Sequence, residues 1–173
     1  MNNQTSTARV ALKWGLITGI TLVVYSIILY TLDQATNRSL SLVIYAILIV
    51  GLVLGMRDYR TANDGYMSYG EGMSLGTLLS AIAGFLSSLF TVFYTQIIDP
   101  GFQQHLAEQV REQMEEQGNL SDEQIDQAIE MMQKFQSPGI AFAIGIFMTV
   151  LIGVIFSLII AAFIRRNKTN PFE

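Results

Sequence analysis

The chain has 173 residues, of which 51% are hydrophobic and only 14% are charged. Because soluble domains carry about 25% charged residues, this composition excludes an ordinary soluble protein and indicates that lipid surrounds much of the chain. The net charge of −4 and the pI near 4.9 argue against a nucleic-acid partner. The lack of cysteine excludes disulfides and thiolate metal sites.

Four uncharged apolar runs contain most of the hydrophobic residues. They cover residues 14–32, 39–56, 73–98 and 139–164, and none contains Asp, Glu, Lys or Arg. A helix needs about 17–25 apolar residues to cross the hydrocarbon core of a bilayer. Because the runs lack the alternating pattern of barrel strands, we expect four transmembrane helices.

Basic residues mark the side of the membrane on which the termini lie. If the N-terminus is cytoplasmic, the cytoplasmic segments hold seven basic and four acidic residues, and the other side holds three basic and ten acidic residues. Since membrane proteins retain Lys and Arg in the cytoplasm, we expect both termini to be cytoplasmic. The charged residues counted as cytoplasmic are Arg9, Lys13, Arg57, Asp58, Arg60, Asp64, Glu71, Arg165, Arg166, Lys168 and Glu173.

The predicted cytoplasmic loop, residues 57–72, mixes both charges with three tyrosines and three glycines. Glu71 stands at the start of the third helix, where the helix dipole favours an anion. Tyr69 lies at the depth where aromatic rings with a polar tip are enriched. These structural explanations suffice for both residues, and the sharper hypothesis is a polar cluster of Arg57, Tyr69 and Glu71 that engages a lipid headgroup or a cytoplasmic partner.

Small residues recur every four positions along the predicted membrane helices. This spacing places them on one face of each helix, and such faces let membrane helices approach closely. We expect packing within the bundle, with a homo-oligomer interface or a pore lining as the alternatives. The residues are Ala11, Gly15, Gly19, Gly51, Gly55, Gly72, Gly76, Ser80, Gly84, Ser88, Ala141, Gly145, Thr149, Gly153, Ser157 and Ala161.

Residues 99–138 carry nine acidic and two basic residues. Apolar residues recur on one helical face on both sides of Gly118 and Asn119, which predicts an extracytoplasmic amphipathic helical hairpin. Its acidic polar faces disfavour adhesion to anionic lipid. We expect the two apolar faces to pair with each other, and a protein partner is the alternative.

Three pairs of residues in this segment carry signals for a helix start. Two pairs combine an N-cap residue with proline at the first helical position, and one is a capping box with Gln three residues after Ser. The last pair begins the fourth membrane helix. In chain order the residues are Asp99, Pro100, Ser121, Gln124, Ser137 and Pro138.

No residue pattern supports catalysis, a metal or a cofactor. His105 is the only histidine, the carboxylates do not match the spacing of an EF-hand loop, and no nucleophile stands beside a base. We interpret the acidic residues as a solvated helix face and expect a protein that is not an enzyme.

Four short segments carry a resemblance to a known family. They are residues 13–17, residues 69–72, the stretch from Ile98 to Phe102, and residues 134–138. Through them nearly the whole chain resembles the uncharacterised bacterial membrane family called domain of unknown function 4199, found chiefly in Bacteroidota. The resemblance implies a location in the bacterial inner membrane and no activity, cofactor or catalytic residue.

These observations together predict one all-α membrane domain, residues 1–173. It is polytopic, with four transmembrane helices and an extracytoplasmic amphipathic hairpin between the third and fourth. We expect a non-enzymatic anchor and interaction protein that acts through the acidic hairpin, with the lipid bilayer and a protein as partners. The alternative is a small oligomeric transporter or channel component, which the lack of ionisable residues inside the four runs disfavours.

Overall fold

The computed structural model describes residues 6–135 and 137–166. The prediction of an all-helical chain is confirmed, since no strand occurs within these two ranges. A short π-helical turn, Tyr94–Ile98, continues the third helix. The α-helices are α1 Thr7–Thr31, α2 Arg38–Ala62, α3 Tyr69–Phe93, α4 Phe102–Gln117, α5 Asp122–Phe135 and α6 Pro138–Ile164.

Four of the helices are long and apolar enough to cross a membrane, which confirms the prediction of four such segments. α1 and α2 have 25 residues each, α3 with its π turn has 30, and α6 has 27. At 1.5 Å per residue, even 25 residues span about 37 Å, which exceeds a hydrocarbon core of about 30 Å. The helices therefore continue past the apolar runs: α1 begins at Thr7 and α2 ends at Ala62.

Parts of the sequence predictions lie outside the described residues. The described residues do not include Lys168 and Glu173, which were counted as cytoplasmic charges. They also do not include Gln136 of the predicted hairpin, or residues 1–5 and 167–173 at the two ends of the predicted domain 1–173.

α3 lies at the centre of the bundle and makes its largest contacts with α1 and α6. α2 packs mainly against α1 and makes smaller contacts with α3 and α6. The start of α1, the end of α2, the start of α3 and the end of α6 meet at one end of the bundle, which we call the terminal end. α4 and α5 lie at the other end, which we call the distal end.

Large apolar side chains cover the outside of the bundle. Ile20, Phe147 and Phe163 are 59%, 63% and 86% exposed. Apolar surface left in water is unfavourable by about 25 cal/mol per Å², so an outside of this kind is suited to lipid. Larger buried apolar residues, among them Leu52 and Leu75, are concentrated in the half of the bundle toward the terminal end.

The predicted small-residue stripes of α3 and α6 face each other along the whole contact. Each position four residues further along α3 meets a position four residues earlier on α6, so the two helices run antiparallel. A Cβ added to Gly84 would lie 2.9 Å from the Cβ of Thr149, which is closer than side chains approach. We call this contact the α3–α6 zipper. Its pairs are Gly72 with Ala161, Gly76 with Ser157, Ser80 with Gly153, Gly84 with Thr149, and Ser88 with Gly145.

The start of α4 differs from the one that the sequence predicts. Asp99 is not its N-cap, because α4 begins at Phe102 and Gly101 is the residue before it. The backbone N–H of Asp99 instead donates to the carbonyl of Tyr94 at 2.9 Å, which closes the π-helical turn. Asp99 and Pro100 therefore connect the turn to α4 and do not start a helix.

The other predicted caps lie at helix starts. The backbone N–H of Ser121 donates to Oε1 of Gln124 at 2.9 Å, and the N–H of Gln124 donates to Oγ of Ser121 at 3.4 Å, which is the reciprocal pattern of a capping box. Ser137 precedes α6, and Pro138 is its first residue. Gly118 ends α4 with φ of 63°, a left-handed conformation that favours glycine.

Candidate interaction surface

α4 and α5 pack against each other through a small contact. Its buried residues are Ile125 on α5, which is 1% exposed, and Ala107 on α4. Arg111 of α4 forms ion pairs with Asp126 of α5 and, at 3.7 Å, with Glu115 of its own helix. These ion pairs are exposed and contribute about 0–1 kcal/mol each, so the apolar contact carries most of the attraction between the two helices.

α4 also binds the distal end of the bundle. Nε2 of Gln109 donates to Oδ1 of Asp33 at 2.8 Å, and Oγ1 of Thr36 donates to Oε1 of Gln109 at 3.1 Å. The ring of Phe102 packs on the ring of Tyr30, with their centroids 4.6 Å apart. One glutamine side chain thus connects α4 to the link between α1 and α2, a contact between residues more than 70 positions apart that no sequence spacing indicates.

Part of the apolar face of α5 remains uncovered. Met131 and Phe135 are 61% and 53% exposed, although Ile129 and Met132 of the same helix are half-buried. Residues four positions apart lie on one helical face, so Met131 and Phe135 form a continuous apolar surface. We call it the α5 stripe. An apolar surface that no other described residue covers is typical of an interaction site.

The helix pair that carries the α5 stripe is strongly acidic. α4 and α5 carry eight carboxylates and two basic residues. Both basic residues are paired within the two helices, Arg111 as described above and Lys134 with Glu130 at 2.8 Å. The hydrogen bond from Lys134 holds the pKa of Glu130 below its usual value. The carboxylates are those of Glu108, Glu112, Glu115, Glu116, Asp122, Glu123, Asp126 and Glu130.

The acidic side chains do not converge on one point. Across residues 6–135 and 137–166, no group of three His, Asp or Glu side chains is arranged to hold a metal ion. His105 is exposed on α4. The negative charge is therefore spread over the surface of the helix pair.

A polar cluster at the terminal end contains one of the three residues that the sequence singled out. Glu71 accepts hydrogen bonds from the hydroxyl of Tyr59 at 2.8 Å and from the backbone N–H of Ser68 at 2.7 Å. Ser68 and Glu71 form a capping box, and α3 therefore begins at Tyr69 instead of residue 73. Tyr69 and Arg57 are exposed, and their role with Glu71 in binding a headgroup or a partner stays a prediction.

A second cluster at this end was not found by sequence reasoning. Nζ of Lys13 and Nε1 of Trp14 both donate to Oδ2 of Asp58 at 2.8 Å. Two adjacent residues of α1 thus bind one carboxylate of α2. The sequence held one signal for this cluster: Lys13 and Trp14 stand at the start of the first apolar run, and Asp58 stands just after the second apolar run.

The link between α2 and α3 holds the end of α6. The backbone N–H of Met67 donates to the carbonyl of Arg166 at 3.0 Å, and the N–H of Arg166 donates to the carbonyl of Met67 at 2.8 Å. Nη1 of Arg60 donates to the carbonyl of Ile164 at 3.1 Å. Met67 is fully buried, so this link packs on the bundle and closes its terminal end.

A family model matches most of the chain. It covers residues 13–166 and is described as a protein of unknown function, DUF4199. No curated protein and no solved structure matches the chain. The matched range includes the α3–α6 zipper, the α4–α5 pair and both polar clusters of the terminal end.

Proposed function

We propose a function from the structure itself, since the chain belongs to the DUF4199 family, whose description assigns no activity. We infer that the protein is a non-enzymatic, multi-pass protein of the bacterial inner membrane. The four long helices anchor it, both termini are cytoplasmic, and the α4–α5 pair binds a protein partner on the extracytoplasmic side.

The observation that supports this proposal is the exposed α5 stripe on a strongly acidic helix pair. Met131 and Phe135 are more than half exposed on the part of the chain that lies outside the four apolar helices. Anionic lipid is a poor partner for them, because the carboxylates of the same two helices are repelled by anionic headgroups. A protein surface with an apolar groove and a Lys or Arg rim matches both features.

The charges of the helix ends support the proposed orientation. Arg9, Lys13, Arg57 and Arg60 lie at or near the terminal end, whereas α4 and α5 at the distal end are strongly acidic. Retention of basic residues in the cytoplasm would place the terminal end there and the α5 stripe outside.

The test is crosslinking of the full-length protein in membranes of the native host, followed by mass spectrometry. We expect crosslinks from α5 to one protein, at a site of apolar residues flanked by Lys or Arg. The double variant Met131→Ser, Phe135→Ser should reduce these crosslinks at least tenfold, since each buried apolar side chain contributes about 1.5–3 kcal/mol and 1.4 kcal/mol is tenfold in affinity.

The matched control is Gln127→Ser, Gln133→Ser, which changes two exposed polar residues of the same helix. We expect this variant to retain the wild-type crosslinks. Equal crosslinks in the two double variants, or crosslinks from α5 to lipid alone, would contradict the proposal.

A further inference from the structure

A cavity lies between the four long helices, in the half of the bundle toward the distal end. Its volume is about 240 Å³, and every one of the four helices contributes to its walls. A second cavity of about 220 Å³ lies beside it, under Phe102 and Leu106 of α4. The two cavities are adjacent, since they share the lining residues Tyr30, Thr91, Val92 and Ala141. Together they fall within the range of about 300–1,000 Å³ that is typical of small-molecule sites.

Hydroxyl groups line this space, and Ser88 carries the most buried of those without a hydrogen bond. Oγ1 of Thr91 donates to the carbonyl of Ser87 at 3.0 Å, and Oγ1 of Thr149 donates to the carbonyl of Gly145 at 2.8 Å. Ser88 is only 7% exposed and lines the cavity, yet its hydroxyl has no hydrogen-bond partner among the described residues. Buried hydroxyl groups are normally hydrogen-bonded, so a ligand is an expected partner for Ser88.

Ser88, like Thr18, Ser80 and Ser157, lies against a glycine of a neighbouring helix, but it differs from Ser80 and Ser157 in its contact with the cavity. The hydroxyls of Ser80 and Ser157 are completely buried, and each lies against a glycine of the opposite helix in the α3–α6 zipper. Neither residue lines the cavity. Ser88 therefore borders a space that a ligand can fill, whereas Ser80 and Ser157 do not.

The chemistry of the walls defines the ligand class. None of the residues that line the two cavities is charged. An ion placed there would lose its hydration without gaining an opposite charge, which is strongly unfavourable inside a membrane. The remaining walls are apolar, with Leu22, Ile44 and Ile152 among them. A suitable ligand is therefore uncharged, mostly apolar, and carries an oxygen that can pair with a hydroxyl.

We propose that this space binds an uncharged amphiphile from the membrane, with a hydroxyl or carbonyl oxygen bound to Ser88 and an apolar body along the walls. Long-chain alcohols are the simplest members of this class. The inference does not depend on the proposed role of the α5 stripe.

A photoreactive long-chain alcohol tests the proposal on the purified full-length protein in nanodiscs. We expect labelled peptides from α3 and α6 around Ser88 and Ala141. Unlabelled dodecanol should compete, whereas dodecanoate and dodecylamine should compete at least tenfold less well, because both are charged at neutral pH. Equal competition by all three would overturn the assignment of an uncharged ligand.

Two variants and a control locate the site. Ser88→Ala removes the hydroxyl and should reduce labelling about tenfold, and Ala141→Leu should reduce it by filling the space. Ser157→Ala also removes an unpaired buried hydroxyl, but outside the cavity, and should label within twofold of wild type. Labelling that persists in both cavity variants, or that maps only to the lipid-facing surface of α1, would overturn the proposal. Melting temperatures near that of wild type would show that the variants are folded.

Discussion

Asp58 joins α1 to α2 through a single carboxylate oxygen. It accepts from the exposed ammonium of Lys13 and from the half-buried indole of Trp14. The two donors contribute differently to folding stability. Exposed ion pairs contribute about 0–1 kcal/mol, whereas a buried donor left without an acceptor costs about 1–3 kcal/mol. The indole hydrogen bond is therefore the larger contribution at this position.

We expect Asp58→Ala to destabilise the protein by about 1–2 kcal/mol and Lys13→Ala by less than about 1 kcal/mol. Trp14 is the only tryptophan in the chain, so its fluorescence during thermal unfolding in detergent reports on this contact directly. A larger loss of stability in Lys13→Ala than in Asp58→Ala would show that the ion pair dominates.

Residues differ in how well their roles could be read from the sequence. The capping box of Ser68 and Glu71 is a local pattern with a spacing of three, and it could have been recognised. The contact of Asp58 with Lys13 and Trp14 could not, because it depends on how far α1 and α2 are shifted along each other. Asp99 was wrongly predicted as the N-cap of α4, since no local sequence pattern indicated the π-helical turn before it.

The glycines of the α3–α6 zipper have no side chains, and this allows the two helices to approach closely. A Cβ built on Gly153 would collide with the side chain of Ser80, and each of the other glycines of the zipper faces a residue at similarly close range. Close approach of this kind gives dispersion contacts and backbone proximity, which are the forces that associate helices in lipid. Larger residues at these positions should separate α3 from α6.

Exchanging the two residues of one pair tests the zipper. Gly153→Ser should destabilise the bundle by about 1–3 kcal/mol through overpacking. The double variant Gly153→Ser, Ser80→Gly restores one small and one hydroxyl residue, so part of the loss should be recovered, with a coupling of about 0.5–3 kcal/mol. The measurement is thermal unfolding in detergent.

Gly139→Ala is the control for this exchange, because a Cβ at Gly139 meets no atom within 4 Å. It should leave stability nearly unchanged. Strictly additive effects of the two substitutions in the double variant would mean that Ser80 and Gly153 do not pack together.

The stripes themselves were predictable from a repeat of four residues, whereas their partners were not. Every membrane helix of this chain carries small residues at that spacing, and spacing alone does not tell which stripe meets which. Helix–helix pairing depends on the three-dimensional arrangement of all four helices. The same reason kept the contact of Gln109 with Asp33 and Thr36 out of reach of the sequence.

The whole molecule has two ends of different charge, and its orientation can be measured without altering any native cysteine, since the chain has none. We expect single cysteines at Ser6 and Thr61 to be protected from an impermeant maleimide in spheroplasts, and one at Gln117 to react. All three positions are exposed, so protection reports the side of the membrane. Reaction of Ser6→Cys and Gln117→Cys from the same side would refute the topology.

The α3–α6 zipper also has a consequence for biosynthesis. α3 is synthesised before α6, so its zipper residues have no partners until α4 and α5 have also been translated. Until then, lipid or an insertion factor must cover the groove of α3. α6 therefore completes the centre of the bundle after α1 to α5 have been made, and a nascent chain cut before residue 145 would lack every partner of the zipper on α6.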